Sequence, residues 1–276
     1  MTITDYALPV SVDPTAAQDD LLSFAVMVGD AKVVALGASA RTARELSLFS
    51  HRILRFLVEH KGFRSLALEG DDVASVYLDD YVRSGLGDPR EVLAGARSFW
   101  RTEEILETVR WLRAYNERHP HDPVRIAHPP RPMSTSGDLE RQLADNTIAW
   151  QERTGHKVVY WGGLAHTAIS SPSTTAGGHL RERYGSDFVS VGLTFHHGDV
   201  LFPVPAPPAD FAEAAFEQVD LDAFYLVPPS DSLARKTRVI GPLPEPDHHL
   251  SGGSLHEWFD VVFHVREATP VRLLLP

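Results

Sequence analysis

The stretch Lys32-Val-Val-Ala-Leu-Gly-Ala-Ser-Ala-Arg-Thr-Ala-Arg-Glu45 decides the fold expected of this chain. Its apolar run, residues 33–36, has no polar residue on either face, which predicts a buried parallel strand. Gly37 ends the run, and Thr42 with Glu45 forms the pattern of a capping box that opens a helix. Apolar residues then recur at helical spacing. A strand that leads directly into a helix at the carboxyl edge of a sheet is where α/β proteins place their chemistry.

The rest of the chain continues this alternation of strands and helices. Short apolar runs predict six further strands, at residues 65–70, 124–127, 157–161, 188–195, 224–227 and 260–265. The alternation predicts an α/β fold in three layers, with a mainly parallel central sheet flanked by helices. A chain of 276 residues, 43% of them apolar, can bury one large core. We therefore expect a single domain over residues 1–276.

Two segments show neither pattern. Residues 129–132 contain three prolines, and residues 228–256 are rich in Pro, Gly, Ser and His. The first is predicted to be a loop and the second a long surface loop.

Composition argues against several classes of function. The net charge of −11 argues against nucleic-acid binding, which needs concentrated Lys and Arg. No run of 18 apolar residues predicts a membrane span, and residues 1–20 lack the pattern of a signal peptide. The absence of Cys excludes disulfides, thiolate nucleophiles and Cys-ligated metals, and it favours a cytoplasmic location.

Common catalytic motifs are missing, so no cofactor is expected. The chain has no P-loop, no Gly-x-Gly-x-x-Gly and no His-Glu-x-x-His. Gly37-Ala-Ser39-Ala-Arg41 lacks the second Gly of a nucleophile elbow, and the sequence identifies no His base for Ser39. The His pairs at 196–197 and 248–249 invite a metal hypothesis. Neighbours on a strand point to opposite faces, however, and the usual ligand spacings are absent, so we expect no metal.

Glu69 and His166 are the candidate catalytic residues. Glu69 ends the second predicted strand and His166 follows the fourth, so both are expected at the carboxyl edge of the sheet. A carboxylate there can act as a general base or an orienting partner, and an imidazole can transfer protons near neutral pH. Glu69 could instead cap the helix that follows it.

Other polar residues are candidates for binding a substrate. Arg44, Glu45 and His51 lie on the first long helix, whose first turn could reach the site. Glu45 is also explained by the capping box, and Arg44 and His51 are most simply solvated. Arg101 could clamp an anionic or carbonyl group, or it could pair with a neighbouring Glu, at 103 or 104.

Taken together, these segments resemble the erythromycin esterase family, α/β hydrolases that open macrolide lactones. Residues 33–52 align without gaps with that family's Leu-Gly-Glu-x-x-His-Gly-x-x-Glu segment, and residues 63–69 resemble its second strand with its acidic residue. Further blocks match at residues 99–104, 158–166 and 178–192. The resemblance covers most of the chain and implies a small-molecule substrate.

The resemblance also shows where this chain departs from the family. The family's Glu and catalytic His correspond to Ala38 and Arg41, and its Trp-x-His-x-x-His is here Trp161-Gly-Gly163-Leu-Ala-His166. An Arg stays protonated and cannot accept a proton at neutral pH. Loss of a general base typically removes about 10² to 10⁴ in rate. Only residues 128–156 separate the third and fourth strands, where the family is expected to have a long helical insertion.

The resemblance with these departures implies a repurposed enzyme that acts on a specialised metabolite, such as a polyketide. Glu69 and His166 would transfer protons, while Arg41 and Arg44 would hold an oxyanion or carboxylate beside Trp161. Cyclisation, elimination or isomerisation needs less water activation than hydrolysis. The alternatives are a true ester or lactone hydrolase with a rearranged site, and a non-catalytic small-molecule-binding protein.

Overall fold

The computed structural model describes residues 3–70, 72–128, 138–169, 174–230, 236–241 and 243–274. The Pro-rich segment predicted at 129–132 lies outside these ranges. Among the residues described, no helix is both long and apolar enough to cross a membrane.

The strands and helices alternate along the described chain, as the sequence predicts. The strands are β1 (Leu8–Pro9), β2 (Val33–Ala38), β3 (Phe63–Leu68), β4 (Arg125–Ala127), β5 (Lys157–Gly163), β6 (Phe188–Asp199), β7 (Pro203–Val204), β8 (Ala223–Leu226), β9 (Lys236–Arg238), β10 (His249–Ser251) and β11 (Val261–Ala268). The α-helices are α1 (Leu22–Val28), α2 (Arg44–Lys61), α3 (Asp72–Ser84), α4 (Pro89–Ala94), α5 (Glu103–Arg118), α6 (Leu139–Thr154), α7 (Leu164–Thr167), α8 (Ala176–Tyr184), α9 (Ala212–Ala215) and α10 (Leu255–Trp258).

A central, mainly parallel sheet confirms the predicted α/β fold. Its strand order is β1-β8-β11-β6-β2-β5-β3-β4, and β7 pairs with the end of β6. The six strands from β11 to β4 run parallel, whereas β8 is antiparallel to β11 and β1 is antiparallel to β8. Strands β9 and β10 form a separate two-stranded sheet. The carboxyl ends of β2, β3 and β5 therefore meet at one edge.

The central position of β2 explains its unbroken apolar run. Every residue of β2 is buried, and the strand pairs with β5 on one side and β6 on the other. Val34 and Leu36 pack into the core beneath α2 and α5, whereas Val33 and Ala35 pack on the opposite face beneath α6 and α8. Helices thus cover both faces, which gives the three layers that the sequence predicts.

Gly37 of β2 lets α7 lie close to the sheet. A Cβ at this position would collide with the hydroxyl of Thr167 and would lie 2.9 Å from the Cα of Leu164. Both of these residues belong to α7, which follows β5 without a loop. The glycine therefore fixes the height above the sheet of the short helix that carries His166.

The capping box predicted at the start of α2 is wrong. The helix begins after Ala43, which provides no side-chain cap, and the Thr42 hydroxyl donates to the carbonyl of Val200 (3.0 Å). Glu45 instead accepts hydrogen bonds from the backbone N–H (2.7 Å) and the hydroxyl (2.6 Å) of Thr269. The chain after β11 crosses the first turn of α2, so tertiary contacts replace the local cap.

The prediction of one long surface loop over residues 228–256 is also wrong. This segment contains β9, β10 and the start of α10, and Thr237 and Arg238 are fully buried. Buried Glu213 of α9 accepts hydrogen bonds from the Thr237 hydroxyl (2.6 Å) and from the backbone N–H of Arg238 (3.1 Å). Polar residues that are paired inside the protein carry no apolar signal in the sequence, which is why β9 is missed.

Candidate functional site

Three of the predicted site residues meet at the carboxyl edge of the sheet. Arg41 follows β2, Glu69 follows β3 and His166 lies on α7 after β5. The guanidinium of Arg41 donates to Oε1 of Glu69, and Nε2 of His166 lies 3.8 Å from the same oxygen. Oε2 of Glu69 accepts a hydrogen bond from the backbone N–H of Gly163 (2.9 Å). Glu69, buried and 5% exposed, is the centre of this cluster.

The backbone of Glu69 is held as firmly as its carboxylate. Its N–H donates to the carbonyl of Trp161 (3.0 Å), which continues the pairing of β3 with β5. Its carbonyl accepts from the indole N–H of Trp100 (3.2 Å). The rings of Trp100 and Trp161 meet edge to face with centroids 6.2 Å apart. These contacts fix the backbone of Glu69, from which the carboxylate projects.

Two consecutive glycines make room for the charged side chains. A Cβ at Gly163 would lie 2.5 Å from Nη2 of Arg41, and a Cβ at Gly162 would collide with Oε2 of Glu69. The backbone of Gly163 is extended (φ −84°, ψ 147°), so the constraint there is space and not conformation. Each glycine therefore supplies the volume that one charged side chain occupies.

Arg41 is held on a second side by an aromatic ring. Its guanidinium carbon lies 4.1 Å from the centroid of Phe99, a cation–π contact. The side chain of Arg41 is 19% exposed. Arg41 is thus fixed between Glu69 and Phe99 and reaches solvent along one edge.

His166 has a second carboxylate partner that the sequence did not identify. Its Nδ1 is 2.6 Å from Oε1 of Glu140, whose other oxygen accepts from the backbone N–H of Ala176 (2.9 Å). Burial lowers the pKa of His166, but the hydrogen bond to Glu140 and the charges of Glu69 and Glu140 outweigh it and raise the pKa above 6.5. Glu140 lies in the first turn of α6, where a carboxylate is expected for the helix dipole alone, so it gave no functional signal.

A narrow cleft opens beside Glu69, on the face of the sheet that α6 covers. Polar groups of Glu69, Tyr160, His128, Asn146 and Thr147 line it. The free volume of this cleft is about 20 Å³, enough for one water-sized group. Tyr160, on the internal strand β5, looks like a core residue in the sequence, so its place beside Glu69 is visible only in the structure.

The structure does not bring the predicted residues of α2 to Glu69. Arg44 pairs with Glu104 (3.4 Å), and Glu45 binds Thr269 as described above. The expectation that His51 is solvated is wrong, because the residue is 8% exposed and its ring meets that of Trp111 edge to face. Burial lowers the pKa of His51 to about 3. Near neutral pH it is an uncharged residue of the core.

Arg101 and Trp161 have structural contacts. The Nε–H of Arg101 donates to the carbonyl of Ala96 (2.6 Å), and Glu103 and Glu104 have other arginine partners, so the predicted Arg101–Glu pair is wrong. Trp161 is 2% exposed, its ring packs against Trp100, and its carbonyl accepts from the N–H of Glu69.

No group of three or more His, Cys, Asp or Glu side chains within the described ranges is arranged to hold a metal ion. The rings of His196 and His197 nevertheless meet, with their Nδ1 atoms 3.0 Å apart, although alternation along a strand predicts opposite faces. Two imidazoles fall short of the usual number of ligands.

Comparison with known proteins identifies the family. The erythromycin esterase family model matches residues 58–127 and 131–268. This chain belongs to the erythromycin esterase family. Erythromycin esterase type II of Escherichia coli is 30% identical over 116 residues, which make up 42% of this chain and 27% of that protein. The matched stretch therefore spans about a quarter of that relative. Residues 33–45, with Arg41, lie outside the segments that the family model matches.

Solved structures of the same fold extend over nearly the whole chain. A succinoglycan biosynthesis protein superposes with a TM-score of 0.84 at 18% identity, covering 98% of this chain and 97% of that one. A Bacillus cereus protein gives 0.79 at 19% identity, with the same coverage. A His-to-Asn mutant of the erythromycin esterase EreC in its open conformation gives 0.75 at 13% identity, covering 98% and 99%. At these identities the likeness establishes a shared fold.

Proposed function

We propose that this chain is a repurposed member of the erythromycin esterase family that performs acid–base chemistry on a small specialised metabolite. Glu69 accepts a proton, His166 donates one, and Arg41 holds an oxyanion or carboxylate of the substrate. The observation that carries the proposal is the contact of the Arg41 guanidinium with Glu69, because it fills the space beside the carboxylate with a permanent cation.

The two departures that the resemblance implies lie next to each other in the structure, which supports a converted site over a decayed one. In the alignment described above, Arg41 and Gly163 each stand where the family has a His. A side chain at Gly163 would occupy the place of the Arg41 guanidinium, only 2.5 Å away. The Gly at 163 therefore leaves room for the guanidinium of Arg41, which would have to shift if a larger residue stood there.

The environment of His166 favours a role for this residue as a proton donor. The hydrogen bond to Glu140 and the two nearby carboxylates raise its pKa above 6.5, so the imidazolium persists closer to neutral pH. A protonated ring cannot take a proton from water, and neither can Arg41. An intramolecular cyclisation, elimination or isomerisation avoids this difficulty, and a polyketide is a substrate suited to it.

A second candidate is a small-molecule-binding protein without turnover. Both oxygens of Glu69 already accept hydrogen bonds, one from Arg41 and one from Gly163. A carboxylate engaged in this way can orient a ligand without exchanging a proton. The same contacts would serve a protein that only binds its ligand, so the experiment has to separate binding from catalysis.

The test incubates the purified chain with hydroxylated polyketide lactones, including erythromycin, and follows product mass and ligand binding. We expect a product of unchanged mass, or one lighter by one water. Its rate should fall about 10² to 10⁴-fold in Glu69→Gln and in His166→Asn. The surface variants Glu152→Gln and His121→Asn are the controls and should keep the wild-type rate.

Two results would replace this proposal. A product heavier by one water, formed at ordinary enzymic rates and lost in Glu69→Gln, would identify a true hydrolase. Binding that saturates without any product would identify a binding protein.

A further inference from the structure

An apolar groove lies on the surface between α3 and α4, and the proposed mechanism does not use it. It is lined by Val73, Ala74 and Tyr77 of α3 and by Glu91, Val92 and Gly95 of α4 and its C-cap. Val73 and Tyr77 are 65% and 58% exposed, so their apolar side chains are left in contact with water. Apolar surface gathered in a concavity in this way marks a site of interaction.

The size of the groove suits part of a small molecule. Its free volume is about 390 Å³, which is comparable to that of pockets that bind organic ligands. The cleft beside Glu69, by contrast, has room for one water-sized group. A metabolite whose reacting group enters that cleft must therefore place the rest of its atoms on neighbouring surface.

The α4 wall of the groove leads to the charged cluster. Gly95, at the end of the groove, is four residues before Phe99, whose ring lies 4.1 Å from the Arg41 guanidinium. Four residues of even a fully extended chain span no more than about 14 Å. Residues 98–100 form a short helical turn, which makes this path shorter still. The groove therefore ends close to the ring on which Arg41 rests.

The α3 wall is tied to the α4 wall between the groove and the cluster. The Nε–H of Arg97 donates to the carbonyl of Gly70 (2.6 Å), the residue after Glu69. The α3 wall then begins at Val73, four residues after Glu69. The groove and the charged cluster are thus neighbours at the carboxyl edge of the sheet, and one ligand can contact both.

The lining of the groove indicates which part of a ligand it binds. Within the described chain, Glu91 is its one charged lining residue, and this carboxylate would repel an anionic group. A hydrocarbon arm gains about fourfold in affinity for each CH₂ group that it buries. A protein partner is a poorer match, because these six lining residues are fewer than the roughly 20 to 30 that each side of a stable protein interface contributes.

We propose that the groove between α3 and α4 binds a hydrocarbon arm of the substrate whose polar head is held by Arg41. This inference rests on the proposed function and narrows its substrate to a molecule with an apolar arm of several carbons beside an anionic or carbonyl group. A second copy of this chain is the competing occupant, and the test therefore includes the state of association.

Two carboxylates that differ only in the length of the arm test the proposal. Butanoate and decanoate share a head that Arg41 can hold, and neither can cyclise. NMR titration of the purified chain should show that decanoate binds at least about 50-fold more tightly, because it has six more CH₂ groups to bury. The amide of Gly95, assigned through its loss in Gly95→Leu, should shift with decanoate alone. Equal affinities, or binding of neither carboxylate, would contradict the proposal.

Exposed positions of the groove supply variants that should fold normally. Val73→Asp places a charge on one wall, and Gly95→Leu fills the groove from the other, where a Cβ would lie 3.5 Å from the Val92 carbonyl oxygen, an ordinary contact. Each should weaken decanoate binding at least about 10-fold and leave butanoate binding unchanged. Val26→Asp, at an 81% exposed position of α1, is the matched control and should change neither. Unchanged decanoate binding in both groove variants would overturn the proposal.

Arg41→Ala tests whether the head and the arm bind together. It should weaken both carboxylates by a similar factor, since both heads bind the same guanidinium. Decanoate that binds Arg41→Ala as tightly as the wild type would mean that the groove takes hydrocarbon apart from the site, which contradicts the proposal. Sedimentation should show a monomer under the same conditions. An association that is lost in Val73→Asp would assign the groove to a second copy and overturn the proposal.

Failure of this inference can be told apart from failure of the proposed function. If Glu69→Gln and His166→Asn reduce turnover of the polyketide lactones but the groove variants change no binding, the proposed function stands and the role of the groove is wrong. If the groove variants weaken decanoate binding while Glu69→Gln and His166→Asn leave turnover unchanged, the groove binds a hydrocarbon arm and the proposed acid–base chemistry is wrong.

Discussion

At the scale of single residues, the site depends on two glycines as much as on its charged groups. Gly162 and Gly163 provide the space for Glu69 and Arg41, and an added Cβ at either position would meet those side chains. A pattern search for acids and bases passes over both glycines. The placement of Glu69 and His166 at one edge of the sheet could be predicted because each follows a strand. The contact of Glu140 with His166 could not, since the two residues lie on separate elements.

Gly163→Ala should displace the Arg41 guanidinium and lower the free energy of unfolding by about 1–3 kcal/mol, the usual cost of overpacking. Arg41→Ala on the same background should recover part of that loss, because it empties the contested space. Urea unfolding of the single and double variants measures the coupling between the two positions. Gly241→Ala, where a Cβ meets nothing within 4 Å, is the control. Strict additivity of the two changes would show that they do not compete for space.

At the scale of elements, α2 is a core helix whose polar residues are largely structural. His51 packs against Trp111, and Arg52 is fully buried and donates to the carbonyls of Asp13 and Ala16 (2.9 and 3.1 Å). The apolar face of this helix was predictable from its spacing. The burial of His51 and Arg52 was not, because the segments that cover them lie far from α2 in sequence.

Burial of His51 predicts a pH dependence of stability. Its pKa is about 3 in the folded chain and ordinarily 6.5, so the unfolded chain binds the proton more readily. The contribution to stability is complete above pH 6.5 and falls as the pH decreases toward the folded pKa. Between pH 7 and 5 it should cost about 2 kcal/mol. Denaturant unfolding at both pH values should show a loss smaller by about this amount in His51→Leu.

The exposed residue His121 provides the control for this prediction. His121→Leu should leave the pH dependence as in the wild type. An unchanged pH dependence in His51→Leu as well would mean that His51 titrates normally in the folded chain.

At the scale of the whole molecule, the segment after β8 crosses the edge of the sheet beside the site. The N–H of Ile240 donates to the carbonyl of Ser39 (2.6 Å), two residues before Arg41. Glu213 of α9 accepts hydrogen bonds from β9, the strand that precedes Ile240. Fully buried Arg238 also donates to the carbonyls of His196 and Pro205 (2.7 Å each). This segment thus links α9, β6 and the loop that presents Arg41.

Glu213→Ala should lower the free energy of unfolding by about 3 kcal/mol, because it leaves the Thr237 hydroxyl and the charge of Arg238 without their buried partner. Hydrogen exchange should also show faster opening of residues 236–241. Glu217→Ala, on the exposed side of the same region, should change neither measurement. Equal stability of the Glu213 variant would mean that this crossing segment is held by its backbone contacts alone.

The sequence by itself determined the α/β class, the seven main strands and the placement of Glu69 and His166 at one edge. Apolar periodicity and the position of polar residues after strands are local signals, so they can be recognised in the sequence alone. Only the tertiary structure decided that Arg41 pairs with Glu69 and that Glu140 binds His166. These contacts depend on where side chains from separate elements meet, which no local pattern encodes.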